Sequence, residues 1–148
     1  NELGIVIKLE TQQGVDHLAD ILFELMTHAP VGLMIARGDL AVECGFERLA
    51  ELQEELLWLC EAAHLPVIWA TQVLETLTQT GIPTRAEITD AAMAMRAECV
   101  MLNRGPHLLA AMTALVDIIK KMEHHQHKKR QLYRPLHIAE ATKALLSL

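Results

Sequence analysis

Aromatic side chains supply only 3% of this 148-residue chain while hydrophobic residues supply 51%, so any buried core has to be aliphatic. A chain of this length can bury one real core. Long apolar runs are missing too. No uninterrupted segment approaches the ~18 residues that would cross a bilayer, and the first residues lack the basic flank and cleavage-like site of a secretory leader. Neither a membrane span nor secretion is expected. Cysteine is scarce: Cys44, Cys60 and Cys99 show no CxxC spacing and are odd in number, which disfavours a zinc knuckle and a disulfide framework. A reducing, cytoplasmic location is the expectation.

Positive charge is sparse over most of the chain. Residues 1–119 carry 6 Lys+Arg against 17 Asp+Glu, whereas 120–148 carry 7 against 2. An acidic body argues against a broad nucleic-acid surface, and no nucleic-acid partner is expected. The chain starts at Asn1 rather than Met and enters a strand by about Gly4, so it reads as a segment of a larger protein.

Four apolar runs, Gly4–Ile7, Val31–Ala36, Val67–Ala70 and Cys99–Leu102, read as strands. Between them the period changes to that of a helix. Leu18, Ile21, Leu22 and Leu25 share one face, as do Leu49, Leu52, Leu56, Leu59, Cys60 and Ala63, with Glu47, Glu51, Glu54, Glu55 and Glu61 expected outside. Thr11–Gly14, Arg37-Gly38-Asp39 with the residues after it, and the stretch from Thr71 to Pro83 read as turns and loops. Thr84-Arg85-Ala86-Glu87 has the form of a capping box, with Ile88, Ala91, Ala92 and Met95 as the buried face of the helix it starts. A helix from about His107 to Met122 closes the fourth unit. The predicted fold is α/β: four consecutive βα units forming half of a TIM-type (β/α)8 barrel over residues 1–122, with a basic, helical tail over 123–148. Runs that are apolar throughout fit strands buried on both faces.

Parallel strands deliver their C-terminal ends to one face, and three polar clusters sit there. Lys8 and Glu10 point to the same side of an extended segment, which suits phosphate and metal handling and equally suits an exposed ion pair. Gly38 allows close backbone approach and Asp39 offers a hard oxygen to Mg²⁺, although a tight turn capped by Asp39 uses the same residues. Arg37 fits a structural ion pair. Thr71, followed by Gln72, can orient a carboxylate or relay a proton, or bond a neighbouring loop backbone. In the tail, Glu123 and His127 are four apart, compatible with a metal or with a solvated helix end.

Taken in order, Ile7-Lys8-Leu9-Glu10, Met34–Glu43, Ala70-Thr71-Gln72-Val73-Leu74-Glu75 and Pro83-Thr84-Arg85-Ala86-Glu87 resemble the motifs of the pyruvate kinase family, over about residues 4–120. The resemblance implies a glycolytic, metal-dependent transferase that passes the phosphoryl group of phosphoenolpyruvate to ADP, giving pyruvate and ATP. It implies Glu10 and Asp39 as ligands of Mg²⁺ or Mn²⁺ and Lys8 as the neutraliser of the phosphoryl group. Gly38, Asp39 and Thr71 would bind the substrate carboxylate, Thr71 also lying near the protonated enolate. By the same resemblance Arg37 and Arg85 look like subunit-contact positions, and the exposed edges of a half-barrel lead separately to the expectation of a homo-oligomer. K⁺ and nucleotide contacts would lie outside these residues, and the segment alone is expected to be inactive.

Two departures stand out. After the fourth strand the family has a Ser-Gly-Glu-Thr-Ala-Lys-Gly loop, where this chain has Asn103-Arg104-Gly105-Pro106-His107, and Ala41 stands where glycine is usual. The altered loop leaves open a metal-enolate lyase or aldolase, and a degenerate barrel kept as a regulatory or assembly module.

Overall fold

The computed structural model describes residues 3–28 and 30–126. These fall into two compact units that part between Val67 and Ile68.

The first unit starts with β1 (Ile5–Leu9), followed by α1 (Gln12–Asp16), α2 (Leu18–Leu25), β2 (Val31–Ala36), α3 (Arg37–Cys44) and α4 (Phe46–Ala62). β1 and β2 pair in parallel, with Ile5 opposite Val31 and Leu9 opposite Ile35, so both chains leave the pair at the same edge. Thr11 is the N-cap of α1: its hydroxyl accepts from the Gly14 N–H at 3.1 Å, which turns the expected loop into a helical turn. Leu18, Leu22 and Leu25 are the buried face of α2. α4 packs on β2 and on α3, inserting the fully buried Leu52, Leu56 and Cys60. Helix periodicity predicts that face well.

Three expectations give way here. Arg37-Gly38-Asp39 is the first turn of α3 and not a loop. Glycine disfavours a helix by about 1 kcal/mol, and burial of Leu40 and Ala41 at 0% and 4% exposure overrides it. Glu55, expected outside, is 0% exposed because it lies beside Leu52 and Leu56 on the inward arc of α4. β1 is not buried on both faces: Ile5 and Val6 stay 47% and 50% exposed, while Leu33 and Ile35 of β2 are fully buried.

The second unit holds β3 (Val67–Val73) from Ile68 onward, α5 (Glu75–Thr80), α6 (Arg85–Ala94), β4 (Cys99–Leu102) and α7 (Leu108–Gln126). β3 and β4 are parallel, with Ile68 opposite Cys99 and Trp69 opposite Val100. α7 packs on α5, α6 and β4. The Thr84 capping box forms as predicted and starts α6. Ala91 and Ala94 supply its buried face, whereas Ile88 is 36% exposed. The stretch expected to be one loop contains α5, held by burial of Leu77 and Thr78 and closed by Gly81, whose φ of 81° is the left-handed conformation that glycine adopts at helix ends. Among the described residues no helix is long and apolar enough to cross a membrane. The basic stretch beyond residue 126 lies outside the described residues.

Candidate functional site

Lys8 stands one residue before the end of β1, Glu10 one residue after it, and Asp39 is the third residue of α3, which follows β2 directly. The parallel register brings these strand ends side by side. Lys8 Nζ donates to Glu10 Oε2 and, at 3.1 Å, to Asp39 Oδ2. The hydrogen bond with Glu10, then that with Asp39, pushes the Lys8 pKa above the ordinary lysine value, so the ammonium is held charged. All three side chains remain about half exposed, at 47%, 43% and 56%. Exposed ion pairs contribute little to folding, so stability is a poor reason for three charges to meet here.

α3 adds a second feature at this edge. Its N-cap is Ala36, whose side chain makes no capping bond, so the first-turn amides of Gly38 and Asp39 belong to a helix start that its own N-cap residue does not close. Helix N-termini of this kind favour carboxylates and phosphates. Arg37, in the same turn, is buried at 7% exposure, whereas Arg85 on α6 is exposed.

Lys8 engages one oxygen of each carboxylate, and each carboxylate has a second oxygen. Two hard oxygen donors, with the remaining positions left to substrate and water, is the set that Mg²⁺ takes in phosphate-handling sites, so the residues present fit such an ion. Among the described residues no group of three or more His, Cys, Asp or Glu forms a metal site. His127, the second member of the tail pair, lies outside the described residues.

In the second unit Thr71 sits in an irregular part of β3. From Trp69 to Val73 the strand advances four residues while β4 advances two, from Val100 to Leu102. Gln72 and Leu74 have φ of 60° and 51°, each a left-handed conformation that costs a non-glycine residue about 1–2 kcal/mol. Two carboxylates brace the segment that follows. Glu75 Oε1 accepts from Asn103 Nδ2 at 3.2 Å, and Glu87 accepts from the Thr76 and Leu77 amides as well as from Thr84. Burial pushes the Glu87 pKa up, but the bonds from the Thr84 backbone and hydroxyl and from the two α5 amides outweigh it and hold it below the usual glutamate range.

The loop after β4 lies along α5. Gln79 Nε2 donates to the Arg104 carbonyl at 2.9 Å, His107 N–H donates to the Thr78 carbonyl at 3.0 Å, and a Cβ placed on Gly105 would stand 2.6 Å from that same carbonyl oxygen. Sequence reasoning marked Asn103-Arg104-Gly105 as altered but missed the bracing roles of Glu75 and Glu87. The Thr84-x-x-Glu87 motif held a partial signal, since a capping-box carboxylate has a second oxygen to offer.

A family profile described as "Pyruvate kinase, barrel domain" matches residues 1–106. Pyruvate kinase from Kluyveromyces lactis is 41% identical over 104 residues, covering 69% of this chain and 20% of that protein. The enzyme of the same name from Debaryomyces hansenii is 36% identical over 142 residues, covering 92% of this chain and 26% of that protein. Among solved structures, a pyruvate kinase from Cryptosporidium parvum superposes with a TM-score of 0.73 at 33% identity, over 80% of this chain and 24% of the other. The chain spans about a quarter of the length of the relatives it matches. Four strands alternating with helices are thus part of a known barrel domain, as the sequence pattern predicts.

Proposed function

The chain belongs to the pyruvate kinase family, and from that premise we propose that it contributes the metal and phosphoenolpyruvate side of a phosphotransferase site within a longer protein. The observation that carries this reading is Lys8 bridging Glu10 and Asp39, residues of two strand ends, at an exposed edge where the bridge has little structural value.

The roles follow from the chemistry of each group. In the reaction the bond between phosphorus and the enol oxygen breaks, a bond to a terminal oxygen of ADP forms, and the enolate carbon takes a proton to give pyruvate. Such transfers depend on positioning and charge neutralisation more than on covalent help. The Lys8 ammonium, a compact charge on a flexible stem, neutralises the phosphoryl oxygens. Glu10 and Asp39 are the residues that would hold Mg²⁺ or Mn²⁺, which supplies Lewis-acid stabilisation of negative charge when bound. The amides of Gly38 and Asp39 orient the substrate carboxylate at the start of α3. The resemblance gives Thr71 the same carboxylate and a place near the carbon that is protonated. Of the two arginines assigned to subunit contacts, Arg85 is the exposed one and is the candidate for an interface in a homo-oligomer; Arg37 is buried.

The reading places the protein in glycolysis, in the cytoplasm, with K⁺ and nucleotide contacts supplied by residues outside this chain. No observation of fold or comparison favours the lyase or the non-catalytic reading. In the full-length protein, Asp39→Ala and Glu10→Ala should each abolish Mg²⁺-dependent formation of pyruvate from phosphoenolpyruvate and ADP. Unchanged rates in both variants overturn the assignment.

A further inference from the structure

Three separate features of the second unit converge on the few residues around Thr71. β3 carries two more residues than β4 between Trp69 and Val73, so Thr71 lies at the centre of a bulge. Bulges re-aim side chains and recur beside active sites. Directly after it, Gln72 and Leu74 both hold left-handed backbone, one on each side of the fully buried Val73. Non-glycine residues stay in that region only where their surroundings over-determine them.

Those surroundings can be named. The Leu74 carbonyl accepts from the Thr78 hydroxyl at 2.7 Å and from the Thr78 N–H at 2.9 Å. Glu75, the next residue, is tied to Asn103 of the loop after β4. Glu87 of α6 takes the amides of Thr76 and Leu77. The turn is therefore pinned from α5 itself, from the β4 loop and from α6. Asn103 opens the loop whose sequence departs from the family's motif.

We propose that Asn103 and Glu87 are positioning residues for Thr71: through Glu75 and the start of α5 they hold the bulged, left-handed segment that sets the direction of the Thr71 hydroxyl. This rests on the reading that gives Thr71 a role toward phosphoenolpyruvate. Asn103 makes no contact with substrate in this scheme. It acts on Thr71 through the backbone of residues 72–75.

Polarity reversal tests the link in the full-length protein. Asn103→Asp sets two carboxylates against each other, and adding Glu75→Gln restores a donor and an acceptor in the opposite sense. The first readout is the γ-methyl NMR resonance of Thr71 with hydrogen exchange at the Thr76 and Leu77 amides; the second is Mn²⁺-dependent binding of oxalate, an enolpyruvate mimic. Asn103→Asp should shift the methyl resonance, speed exchange and weaken oxalate binding about tenfold. The double variant should recover all three, the affinity to within about twofold. A methyl resonance unmoved by Asn103→Asp, or not restored by the second change, overturns the proposal. Should Asn103→Asp fail to fold, Asn103→Ala with the same methyl readout decides it, a shift supporting and no shift overturning. If the wild-type protein binds no oxalate the functional reading falls, and the methyl and exchange data still decide whether Asn103 positions Thr71.

Discussion

Lys8 Nζ lies 3.1 Å from Asp39 Oδ2, joining two side chains 31 residues apart in the chain. The register of β1 and β2 makes that contact possible, because pairing Leu9 with Ile35 brings the ends of both strands to one edge. With the three side chains about half exposed, the cluster adds little to folding and much to the local field.

Lys8→Met should therefore separate stability from activity. The denaturant midpoint of the full-length protein stays where it is, because an exposed ion pair is all that is lost. Under the proposed function, conversion of phosphoenolpyruvate by that protein falls about a hundredfold or more, the loss usual for a group that stabilises transferring charge. A midpoint that falls along with the rate would show the cluster to be a brace of the fold.

Gly105→Ala should destabilise the second unit. A Cβ there would stand 2.6 Å from the Thr78 carbonyl oxygen and 2.7 Å from the Thr78 methyl, and the carbonyl already accepts from His107 N–H. Since backbone cannot swing aside as a side-chain end can, the loop or α5 has to move. Overpacking of this kind costs about 1–3 kcal/mol. Urea denaturation should show a lower midpoint at unchanged slope, and an unchanged midpoint would mean that the loop relaxes without cost.

How far the sequence reveals this arrangement depends on the range of the interactions involved. The four strands, the Leu52, Leu56 and Cys60 stripe of α4 and the Thr84 capping box rest on local pattern, and local pattern predicts them, although it places the buried Glu55 of α4 outside. α3 and α5 escape it because glycine in one and threonines in the other argue against helix, while burial of Leu40, Leu77 and Thr78, a tertiary term, decides. Strand-end position makes Lys8, Glu10 and Asp39 candidates for chemistry, but position alone suits an exposed ion pair or a capped turn equally, and the ordered family resemblance is what singles them out. The bond from Asn103 to Glu75 spans 28 residues and the bulge at Thr71 depends on the register of a second strand, so neither has a local signature.

Glu87 should make the second unit acid-sensitive in a defined window. Its carboxylate accepts from Thr84 N–H at 2.8 Å, from the Thr84 hydroxyl at 3.0 Å and from Leu77 N–H at 3.4 Å, in addition to Thr76 N–H. Burial raises its pKa, these four donors together lower it by more, and the folded value ends below that of the unfolded chain. A carboxyl group depressed in this way contributes stability that is fully present above its unfolded pKa, about 4.3, and is lost as pH falls through the lower folded value. In Glu87→Gln the charge-assisted bonds are gone at every pH, so the variant is less stable at neutral pH and its stability changes less below about pH 4.3. Thermal unfolding of both proteins from neutral pH down into the acid range should show the two curves converging. Parallel curves would mean that Glu87 is not the group that titrates.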